Sequence, residues 1–228
     1  MIALLLRGSL RPNGRLVPLI GALAVLLLLA FLAQVSQGNA AIAGLPAELL
    51  LPLAAAAAAR IGTAGASGDT RRAIDALVDR AVAPTRALVL HWIVTFLVVC
   101  IPLVGGGLLF TLIAHRAEDL PIGKELVATA PVLLTAAAAY TSYYCFFGTF
   151  LRGTGLPIAV LIDVALGSTE GVGWFLPHHH LAALLGGSSR SLSSHGHFVW
   201  LHALVVGYAL ATLWRTRNPA QLTKPEHH

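Results

Sequence analysis

The sequence predicts an all-α integral membrane protein with six transmembrane helices, and three observations carry that prediction. Of the 228 residues, 57% are hydrophobic and only 11% are charged. The mean hydropathy is +0.78, a value that a water-soluble domain of this size cannot carry on its surface. The apolar residues fall into runs of about 20, the length that a helix needs to cross a hydrocarbon core of about 30 Å. Lipid is therefore expected to be part of the solvent of this chain.

The apolar runs divide a single transmembrane domain, 1–228, into six spans. Their predicted boundaries are 17–35, 41–61, 88–114, 126–151, 156–168 with an outer re-entrant segment at 172–186, and 198–214. The fifth unit has two parts because neither apolar piece is long enough to cross the membrane alone. The first run follows Arg7, Arg11 and Arg15, as in a signal peptide. Its length of about 19 residues exceeds a typical signal core, so we expect it to be retained as a span.

Three spans carry residues that predict how they pack. The second contains the alanines 54–59, and small residues let neighbouring helices approach closely. In the third, Pro102 and the glycines 105–107 predict a kink or a close helix contact. The fourth ends in rings that are common at the interface between lipid and water. These rings are Tyr140, Tyr143, Tyr144, Phe146, Phe147 and Phe150.

The distribution of basic residues predicts the orientation. If the N-terminus is cytoplasmic, only Arg116, Lys124 and Arg190 of the 15 Lys and Arg residues lie outside. This asymmetry is a positive-inside signal and agrees with an even number of spans. We therefore expect a multi-pass protein of the bacterial cytoplasmic (inner) membrane with both termini cytoplasmic. The basic residues are dispersed between apolar spans, so no nucleic-acid partner is expected despite the net charge of +5.

A short amphipathic helix is predicted between the second and third spans, over about 70–83. Ile74, Leu77, Val78 and Ala81 share one face of it because they follow each other at helical spacing. The other faces carry the charged residues Arg71, Arg72, Asp75, Asp79 and Arg80.

Four local features occur in a characteristic order along the chain. They are a basic, partly amphipathic start at 4–15, the hydrophilic helix ending in Pro84-Thr-Arg86, the Arg152-Gly153 loop after span four, and a segment starting at Pro177 ahead of the last span. In this order they resemble the type-2 ABC transporter permease family, the six-span membrane subunits of many bacterial ABC exporters. The chain departs from that family in its small external loops.

The resemblance implies that the 70–83 helix is a cytoplasmic coupling helix that docks on a separate ABC ATPase subunit. The implied contact residues are Ile74, Asp75, Leu77, Val78, Arg80 and Ala81. The sequence has no Gly-x-x-x-x-Gly-Lys-Ser/Thr phosphate loop, so ATP and Mg²⁺ are expected in the partner subunit, with no cofactor on this chain and no catalysis by it alone. A second permease copy or a paralogue is needed to enclose a path for an exported substrate. The alternative is that this helix lies on lipid headgroups with its arginines in the phosphate layer.

Histidines are the other unusual feature of the composition, with ten copies. Six of them gather in the predicted outer region: His178, His179, His180, His195, His197 and His202. One interpretation places them half wet at the membrane interface with no bound metal. The other makes them ligands for copper, zinc or a haem-type macrocycle. The chain would then be a cofactor-binding or structural subunit of a membrane electron-transfer complex.

Two carboxylates are candidates for a transport pathway. Asp163 lies about seven residues into the fifth span, where an ionised carboxylate is costly. It is expected to be protonated, paired across the bundle, or exposed to a wet path. Glu170 follows at the outer turn, where ordinary interfacial solvation is the alternative to a pathway role.

Overall fold

The computed structural model describes residues 51–62, 70–115, 121–151, 154–185 and 192–217. Every regular element within these ranges is helical, which confirms the all-α prediction for this part of the chain. The predicted first span, 17–35, and the beginning of the second lie outside the described residues.

The described part of the chain contains eight α-helices, one π-helical segment and one 3₁₀ turn. They are α1 (Leu51–Gly62), α2 (Thr70–Val78), α3 (Pro84–Cys100), a π-helical segment (Ile101–Gly106), α4 (Gly107–Ala114), α5 (Ile122–Phe150), α6 (Gly155–Leu166), a 3₁₀ turn (Val172–Phe175), α7 (Pro177–Leu184) and α8 (Ser194–Arg217).

Three of the described helical stretches are long and apolar enough to cross a membrane. They are Pro84–Ile113, Ile122–Phe150 and Ser194–Arg217, and they correspond to the predicted third, fourth and last spans. The protein is accordingly membrane-embedded. Helix α6 is apolar but has only 12 residues, fewer than a perpendicular crossing needs. The count of six spans and the re-entrant segment at 172–186 stay predictions.

The third span departs from regular α geometry where Pro102 and the glycines were expected to disturb it. Residues Ile101–Gly106 form a π-helical segment between α3 and α4. Proline lacks the N–H that would close an α-helical turn, and such segments absorb the mismatch. Just after it, a Cβ on Gly107 would lie 2.7 Å from a methyl group of Leu133 in α5. The predicted close helix contact is therefore present at Gly107.

Helix α5 lies at the centre of the bundle and packs against α1, α3, α6, α7 and α8. The alanines of α1 pack closely on α3, and Ala54, Ala55 and Ala58 are fully buried. Small side chains bring these two helices together, as the composition of the second span predicts.

Candidate functional site

Helix α2 is fixed to the bundle by its apolar face. Ile74 and Leu77 are buried, and they pack against Ala87 and Leu88 at the start of α3. Leu213, near the end of α8, lies at the edge of the same cluster. This amphipathic helix thus packs on the start of α3, beside the end of α8, at one end of the bundle.

The N-terminus of α2 packs against a second membrane helix at Gly148 of α5. Thr70 is buried, and a Cβ placed on Gly148 would meet Thr70 Oγ1 as well as Thr70 Cβ at 3.0 Å and its backbone nitrogen at 3.3 Å. Only glycine permits this approach. The sequence signal was a single glycine within an aromatic run, and sequence reasoning did not use it.

The C-terminus of α2 ends in a capping motif that fixes the direction of the chain toward α3. The N–H of Ala81 donates to the carbonyl oxygen of Val78 at 2.8 Å, and the N–H of Val82 donates to that of Leu77 at 3.2 Å. These bonds form a Schellman motif with Ala81 in the left-handed region, at φ 63°. Val82 also packs in the cluster that contains Leu77, the apolar contact that accompanies this motif.

The residues predicted to contact an ATPase divide into two groups. Ile74 and Leu77 are buried within this chain and Val78 is half-buried, whereas Asp75, Arg80 and Ala81 are exposed. The exposed surface also includes Arg72, Ala76 and Asp79, which were not among the predicted contacts. The exposed set Arg72, Asp75, Ala76, Asp79, Arg80 and Ala81 covers α2 and the turn that ends it, and we call this set the charged face of α2.

A second candidate site is a buried polar centre around Asp163 of α6. This side chain is fully buried. The Tyr140 hydroxyl donates to its Oδ2 at 3.0 Å, and the backbone N–H of His178 donates to its Oδ1 at 3.2 Å. Asp163 is thus hydrogen-bonded across the bundle, to α5 and to the start of α7, and these bonds fit a protonated and an ionised carboxyl group alike.

The tyrosines of α5 are buried in the bundle, so they do not face the lipid or the water with which such rings are typically in contact. The Tyr143 hydroxyl donates to the Ala159 carbonyl oxygen at 2.8 Å, and the Tyr144 hydroxyl donates to that of Pro52 at 3.1 Å. A phenol can be buried once its hydroxyl finds an acceptor, and here the acceptors belong to α6 and α1. The tyrosines tie three helices together.

The histidines of α7 and His197 are also buried, which corrects the expectation that they are half wet. His195, at the start of α8, is exposed as expected. His179 Nδ1 lies 3.1 Å from the Gly167 carbonyl oxygen. Consecutive residues point to different sides of a helix, so all three histidines of α7 are buried only because other elements surround this helix.

The hydrogen bonds of His180 determine the protonation pattern of a histidine pair. Its Nε2 lies 2.9 Å from the carbonyl oxygen of Trp174, which can only accept, so Nε2 carries the proton in the neutral ring. His180 Nδ1 is then the acceptor for His197 Nδ1–H, 2.9 Å away. The remaining nitrogen, His197 Nε2, is buried and has no hydrogen-bond partner.

These side chains do not form a metal site in the described part of the chain. Within it, no group of three or more His, Cys, Asp or Glu side chains is arranged to hold a metal ion. The two pathway candidates also differ, since Asp163 is buried and Glu170 is exposed in the turn after α6.

Comparisons with models of protein families, with curated proteins and with solved structures find no match to this chain. Its function is therefore inferred from α2 and from the buried polar centre.

Proposed function

We propose that this chain is the membrane-spanning permease subunit of an ABC exporter. It couples ATP hydrolysis by a separate ATPase subunit to movement of a substrate across the bacterial inner membrane. The observation that carries the proposal is the docking of α2, an amphipathic helix that holds its apolar face on the bundle and leaves a charged face exposed.

The contacts of α2 with the bundle would allow it to transmit a movement of the partner to the membrane helices. Helix α2 contacts α3 through Ala87 and Leu88 and α5 through Gly148, and Leu213 of α8 lies at the edge of the contact with α3. Because packed interfaces move as units, a partner that displaced α2 would act on α3 and α5 together. A helix that merely rested on lipid headgroups would not need this fit to Gly148.

In this proposal the ATPase contacts the charged face of α2, with Asp75, Asp79 and Arg80 at its centre. ATP and Mg²⁺ bind the partner, and a second copy or a paralogue completes the path. Asp163 supports the bundle near that path, and its buried hydrogen bonds orient α6 and α7.

The orientation is tested by labelling single cysteines with a membrane-impermeant maleimide in sealed, right-side-out vesicles. Cys100 and Cys145 are replaced by alanine, and Asp79→Cys on α2 is compared with Lys124→Cys at the opposite end of the long helices. We expect Lys124→Cys to react and Asp79→Cys to react only after the membrane is permeabilised. Reaction of Asp79→Cys in intact vesicles contradicts the proposal.

The partner is tested by cross-linking from the same Asp79→Cys in the source membrane, followed by purification of the complex and measurement of ATP hydrolysis. We expect the cross-linked partner to contain a phosphate-binding loop and the complex to hydrolyse ATP. Arg80→Glu should uncouple transport or lower ATPase stimulation, whereas the matched Lys124→Glu, a charge reversal at the other end, should change neither. Cross-links to lipid alone, or equal effects of both reversals, refute the proposal.

A second candidate function is a subunit of a membrane electron-transfer complex. The burial of the clustered histidines His178, His179, His180 and His197, with His197 Nε2 left without a hydrogen-bond partner, is the observation that favours it. A visible absorption band in protein purified from its native membrane, lost in His197→Gln but retained in the exposed control His195→Gln, would support this candidate over the permease.

A further inference from the structure

An apolar groove lies where α3, α5 and α8 meet near one end of the bundle. Its walls include Leu88, Val89 and Trp92 of α3, Cys145 of α5, and Leu210 and Leu213 of α8. It encloses about 220 Å³ and is open on one side. For comparison, an apolar cavity of about 150 Å³ accommodates benzene. The groove is large enough to take part of a hydrocarbon chain.

The polar atoms in the groove are already hydrogen-bonded to the protein. Ser142 Oγ accepts from Trp92 Nε1 at 3.0 Å, and Thr212 Oγ1 donates to the Tyr208 carbonyl oxygen at 2.7 Å. The walls therefore offer a ligand almost no unsatisfied donor or acceptor. A hydrocarbon chain fits such a surface, whereas a sugar or a peptide would leave its own polar groups unpaired.

Two of the helices that line the groove carry an exposed arginine close in sequence to the lining residues. Arg86 precedes Val89 by three residues in α3, and Arg217 follows Leu213 by four residues in α8. Side chains at these spacings lie on the same face of a helix. Both helices therefore continue the groove walls into a guanidinium group at the same end of the bundle.

We propose that this groove binds one acyl chain of an anionic phospholipid, whose phosphate contacts Arg86 and Arg217. Guanidinium groups bind phosphate through paired hydrogen bonds, and basic pockets between membrane helices on the cytoplasmic side select acidic lipids. This site does not depend on an ATPase partner.

Another occupant would be the hydrophobic segment 17–35 of the same chain. That segment is preceded by Arg7, Arg11 and Arg15, which would bring further positive charge toward Arg86 and Arg217. Charge complementarity therefore favours the anionic lipid.

The charge requirement is tested with the full chain exchanged into nanodiscs of phosphatidylcholine that contain a small fraction of phosphatidylglycerol. Retained lipid is then measured by native mass spectrometry. We expect one phosphatidylglycerol to stay bound and the double variant Arg86→Gln, Arg217→Gln to lower its affinity roughly 30-fold. Unchanged retention in that variant overturns the proposal. Both arginines are exposed, so these substitutions leave the packed core intact.

The place of binding is tested by a matched pair of substitutions on α8. Ala209 lines the groove, whereas Ala203 is exposed elsewhere on the same helix. Ala209→Trp should abolish retention of the lipid and Ala203→Trp should leave it unchanged. Equal effects of the two overturn the assignment to this groove.

The occupant is identified with a photoreactive diazirine amino acid at position 210. A phospholipid adduct at this position supports the proposal. An adduct with the peptide 17–35 shows that the chain covers its own groove and overturns it.

Discussion

Replacing Gly148 by alanine tests whether α2 is fixed to the bundle through α5. The added Cβ meets three atoms of Thr70, including its backbone nitrogen at 3.3 Å. Rotation of the threonine side chain cannot clear a backbone contact, so α2 must shift. We expect the free energy that holds α2 in place to fall.

Two magnitudes decide how far α2 moves. Overpacking of this kind costs about 1–3 kcal/mol. Complete release of α2 would expose Ile74 and Leu77, whose burial contributes about 1.5–3 kcal/mol each. Because release costs more than the clash, α2 is expected to stay docked in a displaced position. Its amides should then exchange roughly 5- to 150-fold faster, which corresponds to about 1–3 kcal/mol.

The assay is amide hydrogen exchange by mass spectrometry in nanodiscs, read over residues 70–83. Gly207→Ala is the matched control, because a Cβ at Gly207 meets nothing within 4 Å. Both substitutions remove backbone freedom from the unfolded chain to a similar extent, so the difference between them isolates the contact with Thr70. If the amides of residues 70–83 exchange at the wild-type rate in both variants, α2 does not pack on α5 at Gly148. The proposed transmission of movement from α2 to α5 is then refuted.

Three further predictions are checked by thermal unfolding in one detergent. Tyr140→Phe removes a hydrogen-bond donor from the buried carboxyl group of Asp163 and should lower the free energy of unfolding by about 1–3 kcal/mol. Tyr143→Phe removes a hydrogen bond to a carbonyl oxygen and should lower it by only about 1 kcal/mol. Equal losses in the two variants would contradict the pairing of Tyr140 with Asp163. Thr95→Val should leave stability unchanged or raise it, because Thr95 Oγ1 is buried without a hydrogen-bond partner. Thr141→Val removes a hydrogen bond of 2.7 Å and should destabilise the protein. The reverse order would indicate that Thr95 Oγ1 is hydrogen-bonded to a ligand. Ala81→Gly should stabilise the protein by about 1 kcal/mol, because glycine adopts the left-handed conformation of this position without the strain that a Cβ causes. A lowered unfolding temperature would refute the capping motif.

The sequence predicts where the helices lie along the chain better than it predicts which helices contact each other. Length and apolar content predicted the three long helices, because a membrane demands about 20 apolar residues from any helix that crosses it. Pro102 marked the π-helical segment, since its missing N–H acts locally. These features depend on residues close in sequence, and local physics therefore suffices to predict them.

The candidate sites depend on which helices contact each other in the folded protein. A local sequence pattern does not carry that information. Helical spacing placed Ile74 and Leu77 on one face, but the same spacing fits a partner protein, a lipid surface or the bundle itself. Tyr140 looked interfacial because aromatic rings favour both the interface and a core with a hydroxyl acceptor. The acceptor, Asp163, lies 23 residues away in sequence, and its distance in space could not be read from the pattern.

A single stripe along α5 connects the two candidate sites. Tyr140, Tyr144 and Gly148 follow each other at four-residue spacing, so they lie on one face over about 12 Å. Along this stripe Gly148 contacts α2, Tyr144 bonds to Pro52 of α1, and Tyr140 bonds to Asp163 of α6.

Coupling between two sites requires an element whose position both of them influence, and α5 is in contact with both sites. In the proposed permease, a force on the charged face of α2 reaches α5 at Gly148. Any shift of α5 along its axis then strains the hydrogen bond to Asp163, because that carboxyl group is also bonded to the backbone of His178. The hydrogen bonds of the buried Asp163 carboxyl group would thus respond to a movement of α2, which does not contact it. A substitution at Asp163 is therefore expected to alter coupling, although this residue is not part of the proposed ATPase contact.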